Sequence, residues 1–141
     1  MRIKIKDMNN FINTFNHIYP ENIIAKINGI TIDSRKVEEY DIFIPLKGEN
    51  YDGHDFINNV LDIKGTICLS QNKKIKNKRI IQTKSNIEAL TKLASLWREK
   101  ITSNIIAITG SNGKTTTKEL LYHVLKDIYK CGKSSENHNS S

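Results

Sequence analysis

Residues 109 to 116 read Thr-Gly-Ser-Asn-Gly-Lys-Thr-Thr and follow an apolar run, Ile105-Ile106-Ala107-Ile108. Gly110 and Gly113 lack a Cβ, so the main chain there can take positive φ and bring its N–H groups close to an anionic oxygen. A helix opening near Lys114 leaves its first N–H groups unpaired at the positive end of its dipole. Lys114 adds a mobile point charge for the outer phosphates. Thr115 or Thr116 offers a hydroxyl to a hydrated Mg²⁺, a cation that prefers oxygen ligands, with Thr115 the expected metal ligand. Together Gly110, Ser111, Asn112, Gly113, Lys114, Thr115 and Thr116 read as a cradle for a nucleoside triphosphate, with Lys114 at its outer phosphates. The loop is shorter than the common G-x-x-x-x-G-K-[ST] form, whose first glycine would fall at Ile108.

A second set of polar residues lies nearer the N-terminus: Asp33-Ser34-Arg35, then Lys47-Gly48, then Asp52-Gly53-His54-Asp55. Each piece adjoins an apolar stretch, which places it on a loop at a sheet end, where binding sites commonly form. Ser34 can donate to an oxygen, Arg35 and Lys47 can hold phosphates, and His54 can donate to a sugar or phosphate oxygen. Each residue alone also suits a local duty: Asp33 capping a turn, Arg35 pairing with it, Asp55 capping the next helix. As a set they favour a ligand.

The elements that must position these groups follow from periodicity. Asp7 caps a helix running to Tyr19, with Met8, Phe11, Ile12, Phe15, Ile18 and Tyr19 on one face and Pro20 ending it. Asn28-Gly29 between Ile23–Ile27 and Ile30–Ile32 predicts a hairpin. Residues 41–46, 66–70, 79–83 and 105–108 read as strands. Residues 55–63 read as a helix, with Phe56, Val60 and Ile63 inward. Ser85-Asn86-Ile87-Glu88 is a capping box opening a helix with Ile87, Leu90, Ala94, Trp97 and Ile101 on one stripe. A last helix over about 114–130 should bury Leu120, Leu121, Val124, Leu125 and Ile128, with Glu119 and His123 a surface pair. The fold class expected is α/β: a small mixed domain over residues 1–84, a connecting helix over 85–103, and over 104–141 the first βα unit of a parallel-sheet ATP-binding domain.

Lys and Arg number 22 and Asp and Glu 15 in the 141 residues, a net charge of +7. The basic run Lys73 to Arg79 reads as a solvated loop rather than a nucleic-acid patch, and a positive surface also suits a substrate carrying several phosphates. Cys68 and Cys131 have no metal spacing and read as free thiols of a reducing compartment, Cys68 as a buried small hydrophobe. No stretch is apolar enough to span a bilayer, and the N-terminus lacks a signal-peptide core, so a cytoplasmic location is expected.

The stretches TIDSRKV (31–37), DIFIPLKGENYDGHDFI (41–57) and IIAITGSNGKTTTKELL (105–121) resemble, in order and spacing, the Mur ligases of peptidoglycan synthesis. The resemblance runs from about Ile30 to Ser140, and KGENYDGHDF resembles most the member that adds D-alanyl-D-alanine. It implies a UDP-sugar-binding N-terminal domain holding Ser34, Arg35, Lys47 and His54, and an ATP loop at 110–116 working with Mg²⁺. It implies UDP-N-acetylmuramoyl-tripeptide as substrate, activated through an acyl phosphate, and D-alanyl-D-alanine as the incoming amine, bound outside this chain by a monomeric enzyme. Two departures stand out. Glu39-Tyr40 replaces a proline-glycine pair, and the run Glu136 to Ser140 keeps only Asn137 and Asn139 of an asparagine-rich substrate element. The family's further metal ligand and C-terminal domain would lie beyond these residues, so the chain is expected to bind without turning over alone. The remaining readings are a sister ligase adding another amino acid, and a non-catalytic nucleotide-binding module completed by a partner chain.

Overall fold

A computed structural model describes residues 2–100 and 102–134. The expectations for Ile101, Asn137, Asn139 and the rest of the Glu136–Ser140 run lie outside the described residues. The chain forms two compact units, Met1–Thr102 and Ser103–Ser141.

The first unit is a five-stranded sheet in the order β1 (Arg2–Lys4), β2 (Gly29–Thr31), β3 (Asp41–Phe43), β4 (Ile67–Ser70), β5 (Ile80–Gln82). β1 runs antiparallel to β2, and the other neighbours are parallel. Helix α1 (Met8–Ile18) joins β1 to β2, α2 (Ile57–Leu61) precedes β4, and α3 (Asn86–Glu99) follows β5. Side chains alternate across the strands, as a pleated chain requires. Ile42, Ile44, Leu69 and Ile81 turn to one core with Phe11 and Phe15 of α1 and Ala89 and Leu93 of α3. Phe43, Cys68 and Ile80 turn to the opposite core with Ile57, Val60 and Leu61 of α2. Both faces are therefore covered, which explains the apolar runs Ile42-Phe43-Ile44 and Ile67-Cys68-Leu69.

α1 has the expected cap, Asp7 accepting from Asn10 N at 3.1 Å, and the expected inward face. The capping serine of α3 is also present, Ser85 Oγ accepting from Glu88 N at 3.3 Å. The stripe of α3 differs from expectation: Asn86, Ala89 and Leu93 are buried, Leu90 and Trp97 pack on the same core, Ala94 is exposed, and Ile87 is 67% exposed. Asn86 takes the inward place because it has polar partners there, described below. α3 belongs to the first unit's core, with Trp97 5.4 Å from the Phe11 ring; it does more than connect.

No hairpin forms at Asn28-Gly29. Residues 23–27 form no strand, and Gly29 instead opens β2 opposite Lys4. Its missing Cβ is used for close approach: a Cβ there would lie 2.8 Å from Ile3 O and 2.9 Å from Asp41 Oδ1. Asn28 braces the same junction, donating from Nδ2 to Glu39 O (2.8 Å) and from its backbone to Tyr40 O (2.9 Å). Between them, Arg2 grips the fully buried Asp41 carboxylate with Nε at 2.6 Å and Nη2 at 2.9 Å.

Tyr40 has φ of +60°, the left-handed region that the proline-glycine pair of the resemblance would suit. Its ring lies under Lys26 Nζ at 3.8 Å and against Gly65, itself at φ +70°. A Cβ on Gly65 would meet that ring at 2.3 Å. Gly65→Ala should therefore cost about 2 kcal/mol or more, from backbone strain plus overlap, and a urea titration of the two proteins reads the difference. An unchanged midpoint would show that the ring moves freely.

In the second unit α4 spans Lys114–Leu125, shorter than expected. Residues 105–108 are not assigned to a strand, because a strand is defined by its ladder and among the described residues none pairs with them. The apolar face expected to be buried is open: Leu120, Val124 and Ile128 are 63%, 62% and 70% exposed. Glu119 pairs with Lys118 (3.6 Å) and Lys133, replacing the expected His123 partner.

Candidate functional site

In open α/β sheets ligands sit beyond the carboxyl ends of the strands. A cleft of about 390 Å³ occupies that place here, beside the ends of β2 and β3. One wall is the segment after β2, Ile32 to Arg35; Phe43 forms the floor; Tyr51, Gly53 and Phe56 form the other wall. Residues 34–36 make a single 3-10 turn capped by Asp33, whose Oδ1 accepts from Arg35 N at 3.2 Å. Asp33 also takes the Arg35 guanidinium in a two-point grip at 2.9 and 3.0 Å. The turn-cap duty of Asp33 and the pairing of Arg35 are thus both present, and the pair stands at the cleft with Ser34 between.

The Arg35 hydrogen bonds pull the Asp33 carboxyl from its ordinary 3.8 down to about 2. A depressed carboxylate contributes stability above its unfolded value and loses it as pH falls through the folded value. The Asp33–Arg35 turn should therefore hold at pH 4 and above and open between pH 4 and about 2. NMR of the Arg35 Nε–H across that interval checks it; a signal unchanged at pH 2 would count against the pairing.

Four residues were expected around this ligand, and the structure gathers two. Ser34 and Arg35 line the cleft. Lys47 does not: it is exposed, in an isolated backbone bridge with Asp52. His54, expected to donate to a ligand, is not among the lining residues either. Its ring is 8% exposed, with Nδ1 2.6 Å from Asp52 Oδ1 and Nε2 3.3 Å from Asn86 Nδ2. The cap of the following turn is Asp52, which accepts from His54 N at 2.9 Å, rather than Asp55. That backbone bond, and then the ring, hold the Asp52 carboxyl below its usual range.

Sequence reasoning missed the apolar walls. Tyr51 is 63% exposed beside the cleft, and Phe56, expected inward, is 40% exposed there. The reason is local: Gly53–Phe56 is a 3-10 turn, so the phase of a helix begun at Asp55 does not apply. Aromatic faces beside a serine and an arginine suit a planar base carrying a charged group.

The second unit carries the glycine loop. Gly113 has φ +77° and precedes α4 as its N-cap, with no side-chain cap on the first turn. Gly110 has φ +151°. The Lys114 ammonium bends back over the loop and donates to the carbonyl of Gly110 and, at 3.4 Å, to that of Ser111. Two glycines at positive φ, a helix start with no side-chain cap and an ammonium are thus brought together at this loop. Thr115 and Thr116 are exposed on the first turn. Among the described residues there is no group of three His, Cys, Asp or Glu side chains able to hold a metal by itself, and no helix long and apolar enough to cross a membrane. Burial pushes the Cys68 thiol up to about 12, so it is a packing group.

Residues 26–98 match the Mur ligase family, catalytic domain, and residues 108–140 the Mur ligase middle domain. The UDP-N-acetylmuramoyl-tripeptide–D-alanyl-D-alanine ligase of Bacillus subtilis is 35% identical over 118 residues, 81% of this chain and 26% of that protein. The UDP-N-acetylmuramoyl-L-alanyl-D-glutamate–2,6-diaminopimelate ligase of Rickettsia typhi is 37% identical over 92 residues, 64% of this chain and 19% of that protein. Among solved structures, the MurF ligase of Thermotoga maritima in complex with ADP aligns with a TM-score of 0.73 and 35% identity, over 78% of this chain and 26% of that one. The chain spans about a quarter of the length of the D-alanyl-D-alanine ligases it matches. Two successive family domains, matched in order across both compact units, place this chain in the Mur ligase family.

Proposed function

We propose that these residues supply the UDP-sugar cleft and the ATP loop of an ATP-dependent amide ligase of peptidoglycan synthesis, the one that joins D-alanyl-D-alanine to UDP-N-acetylmuramoyl-tripeptide. The observation that carries the reading is the loop at 110–114: two glycines at positive φ, an uncapped helix start, and an ammonium held above them. In this reading the loop amides and Lys114 hold the ATP phosphates, and charge neutralisation eases transfer of the terminal phosphoryl group to the substrate carboxylate. The amine then displaces phosphate from the acyl phosphate and an amide bond forms. The Thr115 hydroxyl would be one oxygen ligand of Mg²⁺, which would supply positive charge at the phosphates. A single neutral hydroxyl fits a cation that keeps most of its water and takes its remaining ligands from the nucleotide. Ser34, Arg35 and the Tyr51 and Phe56 rings would hold the UDP end of the sugar nucleotide. Lys47, exposed and bridged to Asp52, remains a candidate phosphate contact.

Binding, measured separately for the two ligands, is the direct test on the 141 residues. Calorimetry should find uptake of magnesium-ATP and, independently, of UDP-N-acetylmuramoyl-tripeptide. Failure of the first would remove the ATP loop, and failure of the second the cleft assignment. The match to 2,6-diaminopimelate ligases supports a second reading, a sister enzyme that adds the diamino acid. Feeding a full-length enzyme carrying this sequence with D-alanyl-D-alanine or with 2,6-diaminopimelate separates the two by which amine is consumed.

A further inference from the structure

His54 is buried, polar on both ring nitrogens, and outside the cleft, yet it follows Gly53, which lines it. Its partners fix its state. The Asn86 amide is oriented by Thr83, whose Oγ1 donates to Asn86 Oδ1 at 2.6 Å, and by Pro45 O, which accepts from Asn86 Nδ2 at 2.6 Å. The second hydrogen of Nδ2 points to His54 Nε2. An amide nitrogen only donates, so Nε2 accepts, and Nδ1 carries the proton that goes to Asp52. One neutral tautomer satisfies every group in the chain Asp52–His54–Asn86–Thr83.

That chain closes the neck of a loop. Asn86, the first residue of α3, holds Pro45 on the entering side; through His54 it holds Asp52 on the leaving side. The loop between carries Tyr51, whose ring is exposed and rests on Gly48. Backbone bonds from Gly48 N to Tyr51 O (2.9 Å) and from Gly53 N to Leu46 O (3.0 Å) complete its support. The fit at the neck is close: a Cβ on Gly53 would lie 2.9 Å from Leu46 O.

We propose that His54 is a positioning residue for the nucleotide-sugar cleft, clamping the 45–54 loop to the start of α3 so that Tyr51 and Gly53 form the cleft wall, without touching the ligand itself. The proposal rests on the cleft assignment above. It converts a histidine that looks like a ligand contact in the sequence into a buried bridge. It also gives Asn86, in the first turn of a helix, a reason to point inward.

The test compares His54→Ala, His54→Asn and Asn86→Ala in the 141-residue chain by two readouts. The first is amide hydrogen exchange at Gly48, which donates to Tyr51 O, and at Gly53, against Leu69 in β4. The second is affinity for UDP-N-acetylmuramoyl-tripeptide. Leaving a buried polar partner unmet should speed exchange at Gly48 and Gly53 about tenfold in His54→Ala and in Asn86→Ala, with Leu69 unchanged. Affinity should fall about tenfold in both variants. The asparagine variant keeps a donor for Asp52 and should recover part of each effect. Affinity lost with loop exchange unchanged would mean direct contact and overturn the proposal. Exchange raised equally at Leu69 would mean a core residue only and also overturn it. Loop exchange raised with affinity intact would show that the loop is not part of the site, which again overturns it. If the unmutated chain takes up no UDP precursor, the cleft assignment fails. The His54 proposal falls with it, and selective loop exchange then shows the clamp to be structural.

Discussion

Replacing Lys114 with alanine is expected to weaken magnesium-ATP uptake by about 10²-fold, and to slow phosphoryl transfer in a full-length enzyme by about 10² to 10³. The reason is geometric as well as electrostatic. The ammonium is already held over the loop by the Gly110 carbonyl, so little ordering is needed when a polyphosphate arrives. Lys114→Arg should rescue poorly, since a planar fork cannot stand in for a compact charge held over a tight loop. Calorimetry reads the affinity, and the single tryptophan, Trp97, reports whether the first unit stays folded. Equal affinities for the lysine and alanine proteins would remove the central argument for a phosphate loop.

The largest stability effect is expected at Arg2. Asp41 is wholly buried, and its carboxylate is held by Arg2 and by the Glu38 backbone N–H at 2.9 Å. Arg2→Met leaves that charge buried and short of its partner, which costs about 3 to 5 kcal/mol when a buried pair is broken on one side. Glu38 also approaches Arg2, at 3.0 Å, but its side chain is largely exposed, so Glu38→Gln should change stability by about 1 kcal/mol at most. Urea unfolding followed at Trp97 checks both. A small effect for Arg2→Met would mean that water or another cation reaches Asp41.

These two sites were unequally legible. The glycine turn and helix start at 110–114 could be read directly, because glycines followed by lysine and threonines are a local signal. α1 and the opening of α3 were readable for the same reason: a cap and a stripe are properties of neighbouring residues. The Arg2–Asp41 pair was hidden, since its partners lie 39 residues apart and β1 is only three residues long. Asn28-Gly29 misled because the same dipeptide that favours a tight turn also suits a crowded strand junction. The stripe of α3 was misphased for a related cause. Asn86 is inward only because Pro45, His54 and Thr83 receive it, and hydrophobic periodicity gives no weight to a satisfied amide. Ser34 and Arg35, singled out by type, line the cleft. Tyr51 and Phe56 were passed over because aromatic side chains are read first as core.

Tyr40 and Gly65 carry a lesson about the order in which such a sequence can drift. The ring at one position occupies the volume that any side chain at the other would need. Glycine at position 40 would lift both the left-handed strain and the obstruction, after which asparagine, which tolerates positive φ, becomes acceptable at position 65. The reverse sequence of changes passes through a collision. The two sites are thus epistatic, and among descendants of this chain a side chain at 65 should arise only on backgrounds that have already lost the ring at 40.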